Sequence, residues 1–380
     1  MTRRLRILHV DPERHWGGGE AQVLGLTRYL HRVGHISHVA TPLHGVLAQR
    51  LQHDNLPVQP LSVRNHLDGL AGWRLRRLVR RERYDLVHFH TARAHALSPW
   101  LHALPVRRLV TRRMDYPIKA GWLSRSLYGS QVDMVIAISS GVAAALGTAH
   151  ISDRAIRIIP SGIDTRQFLP TASQRMAIRR QYGLGEGTTV VLMAGTLTKR
   201  KSLHILIEAA AQLHSHRQQG QYAEQTDQAL SLHYLICGDG PLRQELEARV
   251  RVLGLASVFH FAGFCRDVPA YLAAADIFVH TPVWEGLGVA VIEALAAGLP
   301  VVASRVGGIT ELITDRETGL LIPAQDPSAL CNALLQCVRS PDWAKTLGAH
   351  GQAKVRTHFD IETTARANEA LYYELLAAAP

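Results

Sequence analysis

The sequence predicts an α/β protein with two doubly wound domains, each built on a parallel β-sheet. Two observations lead to this prediction. Short apolar runs alternate with helical patterns in the first half of the chain, and the second half repeats the scheme. Glycine-rich or charged segments follow the ends of several apolar runs. Because open α/β sheets bind ligands beyond the carboxyl ends of their strands, we expect the chemistry in these loops, in a central cleft that the two domains face.

Five strands are predicted in the first half, with helices between them. They are Leu5–Val10, His35–Ala40, Asp85–His90, Arg107–Thr111 and Val132–Ile138. Apolar residues at helical spacing predict a helix over Ala21–Arg32, which Gly34 ends. This alternation is typical of a parallel sheet that is covered on both faces.

Five more strands and their connecting helices are predicted in the second half. The strands are Thr188–Ala194, Leu232–Cys237, Val258–Phe261, Ile277–His280 and Val301–Ala303, and the helices are Leu203–Leu213, Pro241–Leu253, Val289–Ala297 and Ile361–Ala377. The polar stretch 215–227 is predicted to be an exposed loop. The pattern breaks near residues 166–175, so we divide the chain into 1–168, 169–357 and a C-terminal helical segment, 358–380.

Composition narrows the class of protein. The 380 residues suffice for two domains, and no apolar run approaches the ~20 residues of a membrane span. The basic start precedes one strand-length apolar run and no small-residue cleavage site, so we expect no signal peptide and a cytoplasmic protein. The scattered cysteines include no Cys-x-x-Cys pair, which predicts reduced thiols rather than zinc or a disulfide framework. They are Cys237, Cys265, Cys331 and Cys337.

The net charge of +11 is concentrated in the first half of the chain. Residues 1–170 hold 24 Lys and Arg against 11 Asp and Glu, whereas the remainder holds 18 against 20. A one-sided basic domain indicates an anionic partner, such as a membrane surface, a phosphorylated substrate or nucleic acid. We expect no nucleic-acid binding, because the basic half lacks aromatic interleaving and any recognised motif.

The segment 282–304 carries the most specific pattern. A glycine-bracketed loop, Glu285–Gly288, follows a strand and opens a helix. The first N–H groups of that helix, near Leu287–Ala290, have no internal partners and form an anion site suited to a diphosphate. Glu285 and Glu293 can accept hydrogen bonds from sugar and ribose hydroxyls. The alternative is that Glu285 caps the helix and Glu293 lies on its wet edge.

This segment resembles the signature of glycosyltransferase family 4, also called glycosyl transferases group 1, a retaining family with the GT-B fold. Seven residues separate its two glutamates, as they do Glu285 and Glu293. Matches extend over nearly the whole chain: Trp16–Leu24, Asp85–His90, Ile136–Ser139, Ile159–Asp164, the phosphate loop Gly195–Ser202, Gly238–Arg243 and Gly307–Glu311. The resemblance implies an acceptor-binding domain over 1–168, a nucleotide-sugar-binding domain over 169–357, both Rossmann-like, and a helix over 358–380 that packs back on the first domain.

The activity that the resemblance implies is retaining transfer of a hexose from a nucleotide sugar. The acceptor is a glycan or a lipid-linked glycan of cell-envelope polysaccharide or lipopolysaccharide synthesis, and the departing phosphate takes the acceptor proton. No metal or other cofactor is expected, since no Asp-x-Asp lies near a strand end. A non-catalytic nucleotide-sugar-binding protein of the same fold remains the alternative. An NAD-type oxidoreductase is disfavoured because Gly17–Gly19 lacks the Gly-x-Gly-x-x-Gly spacing.

The resemblance also implies roles for individual residues. Glu285 would hold the donor sugar, Glu293 the ribose, and Lys201 the diphosphate, whose negative charge grows when the bond breaks. The predicted catalytic set is Glu285, Lys201, His90 and Arg113. The other predicted donor-binding residues are Gly18, Gly19, Thr196, Arg200, Gly240, Leu287, Gly288, Val289 and Glu293.

Two positions depart from the family pattern. Thr196 stands where the family usually has Arg, and whether Lys199 or Arg200 compensates is open. Arg113 stands where many relatives have a His near the scissile bond. His88 and His90 are expected near the same edge of the cleft, with a structural role as the alternative for either one.

A strongly basic helix is predicted over residues 73–83. Its inward stripe is Leu75, Leu78 and Val79, and its arginines form two rows, Arg74, Arg77 and Arg81, and Arg76, Arg80 and Arg83. A second basic and aromatic segment covers 116–125, where Trp122 lies between Lys119 and Arg125. Both segments are predicted to dock on an anionic membrane, which would place the protein on the inner face of the membrane. The alternative is a solvated helix face.

Overall fold

The computed structural model describes residues 3–115, 118, 121–148, 151–218 and 231–378. The chain divides into two compact units. The first unit comprises Met1–Asp164 together with His358–Pro380, and the second comprises Thr165–Thr357. The C-terminal helix Ile361–Ala377 thus belongs to the first unit, and the units divide after Asp164, a few residues before the join at 168 that the sequence suggests.

The first unit is built on a seven-stranded parallel sheet of order β3-β2-β1-β4-β5-β6-β7. Its strands are β1 Arg6–Val10, β2 Ile36–Thr41, β3 Val58–Pro60, β4 Leu86–Phe89, β5 Arg107–Arg112, β6 Met134–Ala137 and β7 Ile156–Ile158. β1 and β4 lie side by side at the centre of the sheet. They are almost entirely buried, as expected of strands covered on both faces.

Helices surround this sheet. They are α1 Gly18–Arg32, α2 Val46–His53, α3 Gly69–Glu82, α4 Ala92–His95, α5 Trp122–Arg125 and α6 Ser140–Gly147, with the C-terminal helix Ile361–Ala377 joining them. One core cluster packs α1 and the C-terminal helix on the sheet, through residues such as Leu30, Leu86 and Tyr372. This packing holds the second half of α1 against the sheet.

The second unit is built on a six-stranded parallel sheet of order β10-β9-β8-β11-β12-β13. Its strands are β8 Thr189–Ala194, β9 Leu232–Cys237, β10 Phe259–Gly263, β11 Ile277–His280, β12 Val301–Ser304 and β13 Leu320–Ile322. Its helices are α7 Ala172–Gln181, α8 Leu203–Gln218, α9 Arg243–Val252, α10 Val268–Ala274, α11 Val289–Ala296, α12 Ile309–Leu312, α13 Pro327–Arg339 and α14 Pro341–His358. Apolar side chains from the sheet and from the helices form one large core.

The prediction of two parallel α/β sheets is confirmed, and it differs from the structure in details. The strands β3, β7 and β13 were not predicted. The exposed loop predicted to begin at residue 215 is wrong at its start, because α8 continues to Gln218, and residues 219–230 lie outside the described residues. Among the helices described, none combines the length and the apolar character that crossing a membrane requires.

Candidate active site

The loop between β11 and α11 holds Glu285 in a fixed position. Gly288 ends this loop with φ 97°, a left-handed conformation that glycine adopts without strain, and α11 begins at the next residue. The Glu285 carbonyl accepts a hydrogen bond from Gly308 N at 3.1 Å, which ties the loop to the segment after β12. The amides at the start of α11 are therefore presented at the carboxyl end of the sheet, where an anion can bind.

The Glu285 side chain does not cap α11. The N-cap residue of this helix is Gly288, and no side chain caps it. The Glu285 carboxylate instead contacts three groups from neighbouring segments. Its Oε1 accepts from Arg200 Nη1 at 3.1 Å, and its Oε2 accepts from Lys201 Nζ and lies 3.1 Å from His280 Nε2. The alternative that Glu285 is a helix cap is therefore wrong.

Arg200 and Lys201 come from the loop that follows β8. A short turn of helix spans Lys199–Lys201, and Ser202 closes it in the left-handed conformation, with φ 49°. Thr281 Oγ1 donates to Ser202 O at 3.2 Å, so the loops after β8 and β11 are joined. This joins Lys201 to Glu285, although 84 positions separate them in the sequence.

The pKa values of Glu285 and Lys201 depend both on burial and on the groups that contact them. Burial alone would raise the pKa of Glu285, but the hydrogen bond with His280 and the charge of Lys201 hold it far below its usual range. Burial lowers the pKa of Lys201, and Glu285 opposes that change. Burial and the Lys201 charge lower the pKa of His280 to about 4, so this histidine is neutral at pH 7. The cluster therefore carries two cations, Arg200 and Lys201, and one carboxylate.

Glu293 lies on α11, half-buried, and burial raises its pKa to about 7, while the Lys201 charge acts in the opposite direction. The folded state therefore holds a proton that the unfolded chain releases above pH ~4.5. The resulting loss of stability grows as pH rises from ~4.5 to ~7 and is constant above that.

Glu293→Gln removes this titration, so we expect the variant to gain stability relative to the wild type as pH rises. The gain is zero near pH 4 and on the order of 2–3 kcal/mol at pH 8. Urea unfolding of both proteins at pH 4, 6 and 8 measures it. A difference in the free energy of unfolding that does not change with pH contradicts this account of Glu293.

The turn after β9 packs tightly against the loop after β8. Gly238, with φ 151°, accommodates this contact, since a Cβ there would lie 1.9 Å from Gly195 O. Leu197 N donates to Asp239 O at 2.9 Å, and Leu242 N donates to Leu197 O at 3.2 Å. The predicted donor-binding residue Gly240 lies in this turn, beside the phosphate loop.

Thr196 is exposed at the edge of the phosphate loop. Lys199 is exposed as well, whereas Arg200 lies over the Trp284 ring, 4.9 Å from its centroid, and contacts Glu285. The Arg200 guanidinium is thus already fixed by two contacts. The other cation of the phosphate loop that contacts Glu285 is Lys201, whose side chain is 13% exposed.

In the first unit, Arg113 lies just beyond the end of β5. Its Nη1 donates to Ser161 Oγ at 3.0 Å, and its Nε lies 3.5 Å from where a Cβ on Gly19 would stand. Burial lowers the pKa of Arg113, while the charges of Asp11 and Glu20 raise it. Burial and the charge of Glu20 raise the pKa of Asp11 to about 7. The predicted glycine loop and Arg113 are therefore neighbours.

The three histidines beside Arg113 differ in their hydrogen bonds. His88 uses both ring nitrogens, with Tyr372 Oη and Thr111 Oγ1 each at 2.7 Å, which gives it a structural role. His90 Nε2 lies 2.9 Å from His9 Nδ1, and His90 Nδ1 is buried without a partner. Burial and the neighbouring charges lower the pKa of His90 far below its usual range, so it is neutral.

The ring nitrogens of His9, His88 and His90 lie within 4.8 Å of one another, a spacing that a metal ion could use. Two features argue against that use. His88 has no free nitrogen, and the Arg113 guanidinium adds positive charge beside the cluster. His90 and Arg113 instead line a pocket of the first unit together with Gln22, Thr111, Ser161 and Asn368.

His280 and Asp11 are among the residues of these clusters that were not predicted. His280 is fully buried and contacts both Glu285 and Lys201, and its signal was its position as the last residue of a predicted strand. Asp11 lies just after β1, and its only signal in the sequence is a charge that follows the first apolar run. His280 ends its strand and Asp11 follows the end of its strand, which is where ligand-contacting residues are expected in this fold class.

Comparison with known proteins establishes the family of the chain. A family model for glycosyl transferases group 1 matches residues 174–354, and one for glycosyltransferase family 4 matches residues 16–167. The lipopolysaccharide core biosynthesis mannosyltransferase LpsB of Rhizobium meliloti is 32% identical over 248 residues, which cover 65% of this chain and 67% of that protein. The chain belongs to glycosyltransferase family 4, and it is a glycosyltransferase that uses nucleotide sugars.

Other relatives and structures extend this likeness. The GDP-mannose-dependent alpha-(1-6)-phosphatidylinositol monomannoside mannosyltransferase of Mycolicibacterium smegmatis is 29% identical over 296 residues, covering 73% of this chain and 74% of that protein. The crystal structure of Anabaena HepE in complex with UDP and glucose superposes with a TM-score of 0.84 at 21% identity, covering 98% of this chain and all of that chain. That likeness shows the GT-B fold.

Proposed function

We propose that this glycosyltransferase moves a hexose from a nucleoside-diphosphate sugar to a lipid-linked or glycan acceptor in cell-envelope synthesis, with retention of configuration. The observation that carries the proposal is the cluster of Glu285 with Lys201, Arg200 and His280 at the start of α11. It combines an anion site with a buried carboxylate that can hold sugar hydroxyls. The names of the relatives, which include GDP-mannose and lipopolysaccharide core, support this choice of substrates.

The proposed donor site gives the diphosphate, the sugar and the ribose of the nucleotide sugar a partner each. The diphosphate binds at the amides of Leu287, Gly288 and Val289 and beside the Lys201 ammonium. The sugar hydroxyls donate to Glu285, and the ribose hydroxyls contact Glu293. When the sugar–phosphate bond breaks, Lys201 stabilises the charge that develops on the departing phosphate.

The proposed acceptor half lies in the first unit, in the pocket lined by His90 and Arg113. Arg113 offers a cation to a phosphate or to the reacting oxygen, and His90, being neutral, offers its unpartnered Nδ1 as a hydrogen-bond group. The departing phosphate, rather than a protein base, accepts the acceptor proton in this proposal. Asp11 and Glu20 balance the charge of Arg113.

A screen of nucleotide sugars tests the proposal. The reduced protein is incubated with UDP-glucose, UDP-galactose and GDP-mannose, with and without a membrane lipid extract, and release of the nucleoside diphosphate is followed. Turnover of one donor that increases with the extract is the expected result. Tight donor binding without turnover would instead favour the non-catalytic alternative.

Thr196→Arg tests the open question at the phosphate loop. Thr196 is exposed, so the larger side chain can be accommodated, and a guanidinium there adds a charge-assisted hydrogen bond to the diphosphate. We expect the affinity for UDP or GDP to rise about tenfold. The variant Lys199→Ala is titrated in parallel and reports whether Lys199 already supplies that contact. If it does, Lys199→Ala binds UDP or GDP more weakly than the wild type, and Thr196→Arg adds little affinity.

We further propose that the first unit docks on an anionic membrane through the start and the exposed face of α3. Arg74, Arg77 and Arg81 are exposed, while Leu75 and Val79 face the core. Large apolar side chains lie exposed on or near the start of the same helix: Leu67, Leu70, Trp73 and Trp100. Apolar side chains next to arginines suit a headgroup interface. Trp122 is 82% exposed, and residues 116, 117, 119 and 120 of the second predicted segment lie outside the described residues.

Vesicle flotation measures this docking. The wild type is expected to float with vesicles that contain anionic lipid at low salt, and Arg74→Glu/Arg77→Glu/Arg81→Glu is expected to remain in solution, since each basic residue near the surface contributes about 1 kcal/mol. Arg249→Glu/Arg251→Glu/Arg339→Glu, on the second unit, is the matched control. Equal flotation of the two triple variants contradicts the proposed surface.

A further inference from the structure

Two of the four cysteines lie in contact at the carboxyl end of the second sheet. Cys237 is the last residue of β9, and Cys265 follows the end of β10. Their Sγ atoms are 2.8 Å apart, and both cysteines are free thiols. The sequence did not indicate this pair, because 28 positions separate the two residues.

The backbone brings the two thiols together. Cys237 pairs with Gly263 in the parallel ladder, and the register shifts between Phe261 and Gly263. Gly238 N donates to Gly263 O at 2.8 Å, which closes the sheet beside the thiols. A disulfide has an S–S bond of about 2.0 Å, so a shift of less than 1 Å joins these sulfurs.

The two thiols differ in access. Cys237 is buried, while Cys265 is half-buried and follows the exposed Phe264. The hydrogen bond with Cys237 lowers the pKa of Cys265, against the effect of burial, and a hydrogen bond with Tyr271 adds to the lowering. Burial raises the pKa of Cys237. Cys265 is therefore the thiol that reacts first with a reagent from solution.

We propose that Cys237 and Cys265 form a reversible disulfide that weakens binding of the nucleotide at the neighbouring phosphate loop. The oxidant is a small-molecule disulfide such as glutathione disulfide. The Cys265 thiolate attacks one of its sulfurs and releases one thiolate, leaving a mixed disulfide. Cys237, having lost its proton, then attacks Cys265 Sγ and displaces the second thiolate. The protein loses two hydrogen atoms, and the reagent becomes two thiols.

Direct backbone contacts connect the thiols to the phosphate loop. Cys237 O accepts a hydrogen bond from Gly195 N at 2.9 Å, and the next residue, Gly238, has no room for even a Cβ beside Gly195 O. The Lys201 side chain lies over Gly195, with its Cε 3.7 Å from the Cβ position there. Movement of Cys237 toward Cys265 therefore displaces the backbone that supports Lys201.

The functional part of this inference rests on the proposed donor site, and three readouts distinguish failure of the inference from failure of the proposed function. Intact mass and peptide mapping under non-reducing conditions report the disulfide after treatment with glutathione disulfide. Titration with UDP and with GDP reports nucleotide binding before and after treatment. Hydrogen exchange of the peptide containing residues 195–201 reports movement of the phosphate loop without any ligand.

The expected result is a Cys237–Cys265 crosslink and faster hydrogen exchange in the 195–201 peptide. The affinity for UDP or GDP is expected to fall about tenfold, which corresponds to the loss of one hydrogen bond to a charged group. Dithiothreitol restores all three. Cys265→Ser is expected to abolish these changes, and Cys331→Ser/Cys337→Ser, which alters the other two cysteines, is expected to retain them.

Three outcomes overturn the inference. They are a protein that ends as a mixed disulfide without the internal crosslink, a crosslinked protein whose loop exchange is unchanged, and a loss of affinity that also occurs in Cys265→Ser. If the reduced protein binds neither UDP nor GDP, the proposed function fails, while mass and exchange still decide the disulfide and its coupling to the loop.

Discussion

Replacing Glu285 with alanine is expected to lower kcat/KM for sugar transfer by about 10²- to 10³-fold, the range for removal of one preorganised electrostatic contact. Two effects combine. In the proposed donor site the sugar hydroxyls lose their acceptor, and Arg200 and Lys201 lose the carboxylate with which they pair. Initial rates with the donor identified by the screen measure the loss.

A second variant at Glu285 and one variant at another glutamate make this result specific. Glu285→Gln keeps an acceptor for the hydroxyls but loses the charge, so it is expected to retain more activity than alanine. Glu186→Ala changes an exposed glutamate of the same unit and is expected to leave kcat/KM unchanged. An equal loss in Glu285→Ala and Glu186→Ala, or a Glu285→Ala enzyme as active as the wild type, is incompatible with the proposed role.

Lys201→Ala is expected to reduce kcat by about 10²- to 10³-fold, because in the proposed donor site the departing nucleoside diphosphate loses the cation that stabilises its charge. The same variant is expected to bind UDP at least tenfold more weakly and uridine with unchanged affinity. Comparing the two ligands isolates the diphosphate contact from the contacts to the base and the ribose.

Lys345→Ala provides the control for Lys201, since Lys345 is an exposed lysine of the same unit. Its UDP affinity and kcat are expected to match those of the wild type. Lys201→Arg is expected to keep part of the UDP affinity, because the charge remains. A Lys201→Ala protein that binds UDP as tightly as the wild type would show that the diphosphate lies elsewhere.

The central strands could be predicted from the sequence almost to the residue. Leu232–Cys237, Ile277–His280 and the C-terminal helix have the predicted bounds, because buried strands give continuous apolar runs and an amphipathic helix gives a period of 3.6. The strands β3, β7 and β13 escaped prediction. Each has three residues and lies at the edge of its sheet, so it is defined by pairing with one neighbour and not by a pattern of its own.

The sequence predicted some of the residues of the candidate site, but it did not predict their contacts. The motif pattern indicated Glu285 and Lys201, yet the contact between them follows from the adjacency of β8 and β11, which no local pattern encodes. His88 and His90 alternate along one strand with the same local signal. Only the fold distinguishes them, since Tyr372 of the C-terminal helix hydrogen-bonds His88, whereas His90 Nδ1 has no partner.

Anomeric configuration tests the central claim most directly. ¹H NMR follows the wild-type enzyme as it consumes the α-configured nucleotide sugar identified by the screen, in the presence of an acceptor. The account predicts that the donor is consumed and that the new linkage shows an α-anomeric signal from the earliest time points. A β-anomeric product would contradict it. So would a donor that remains unconsumed both with and without the membrane lipid extract.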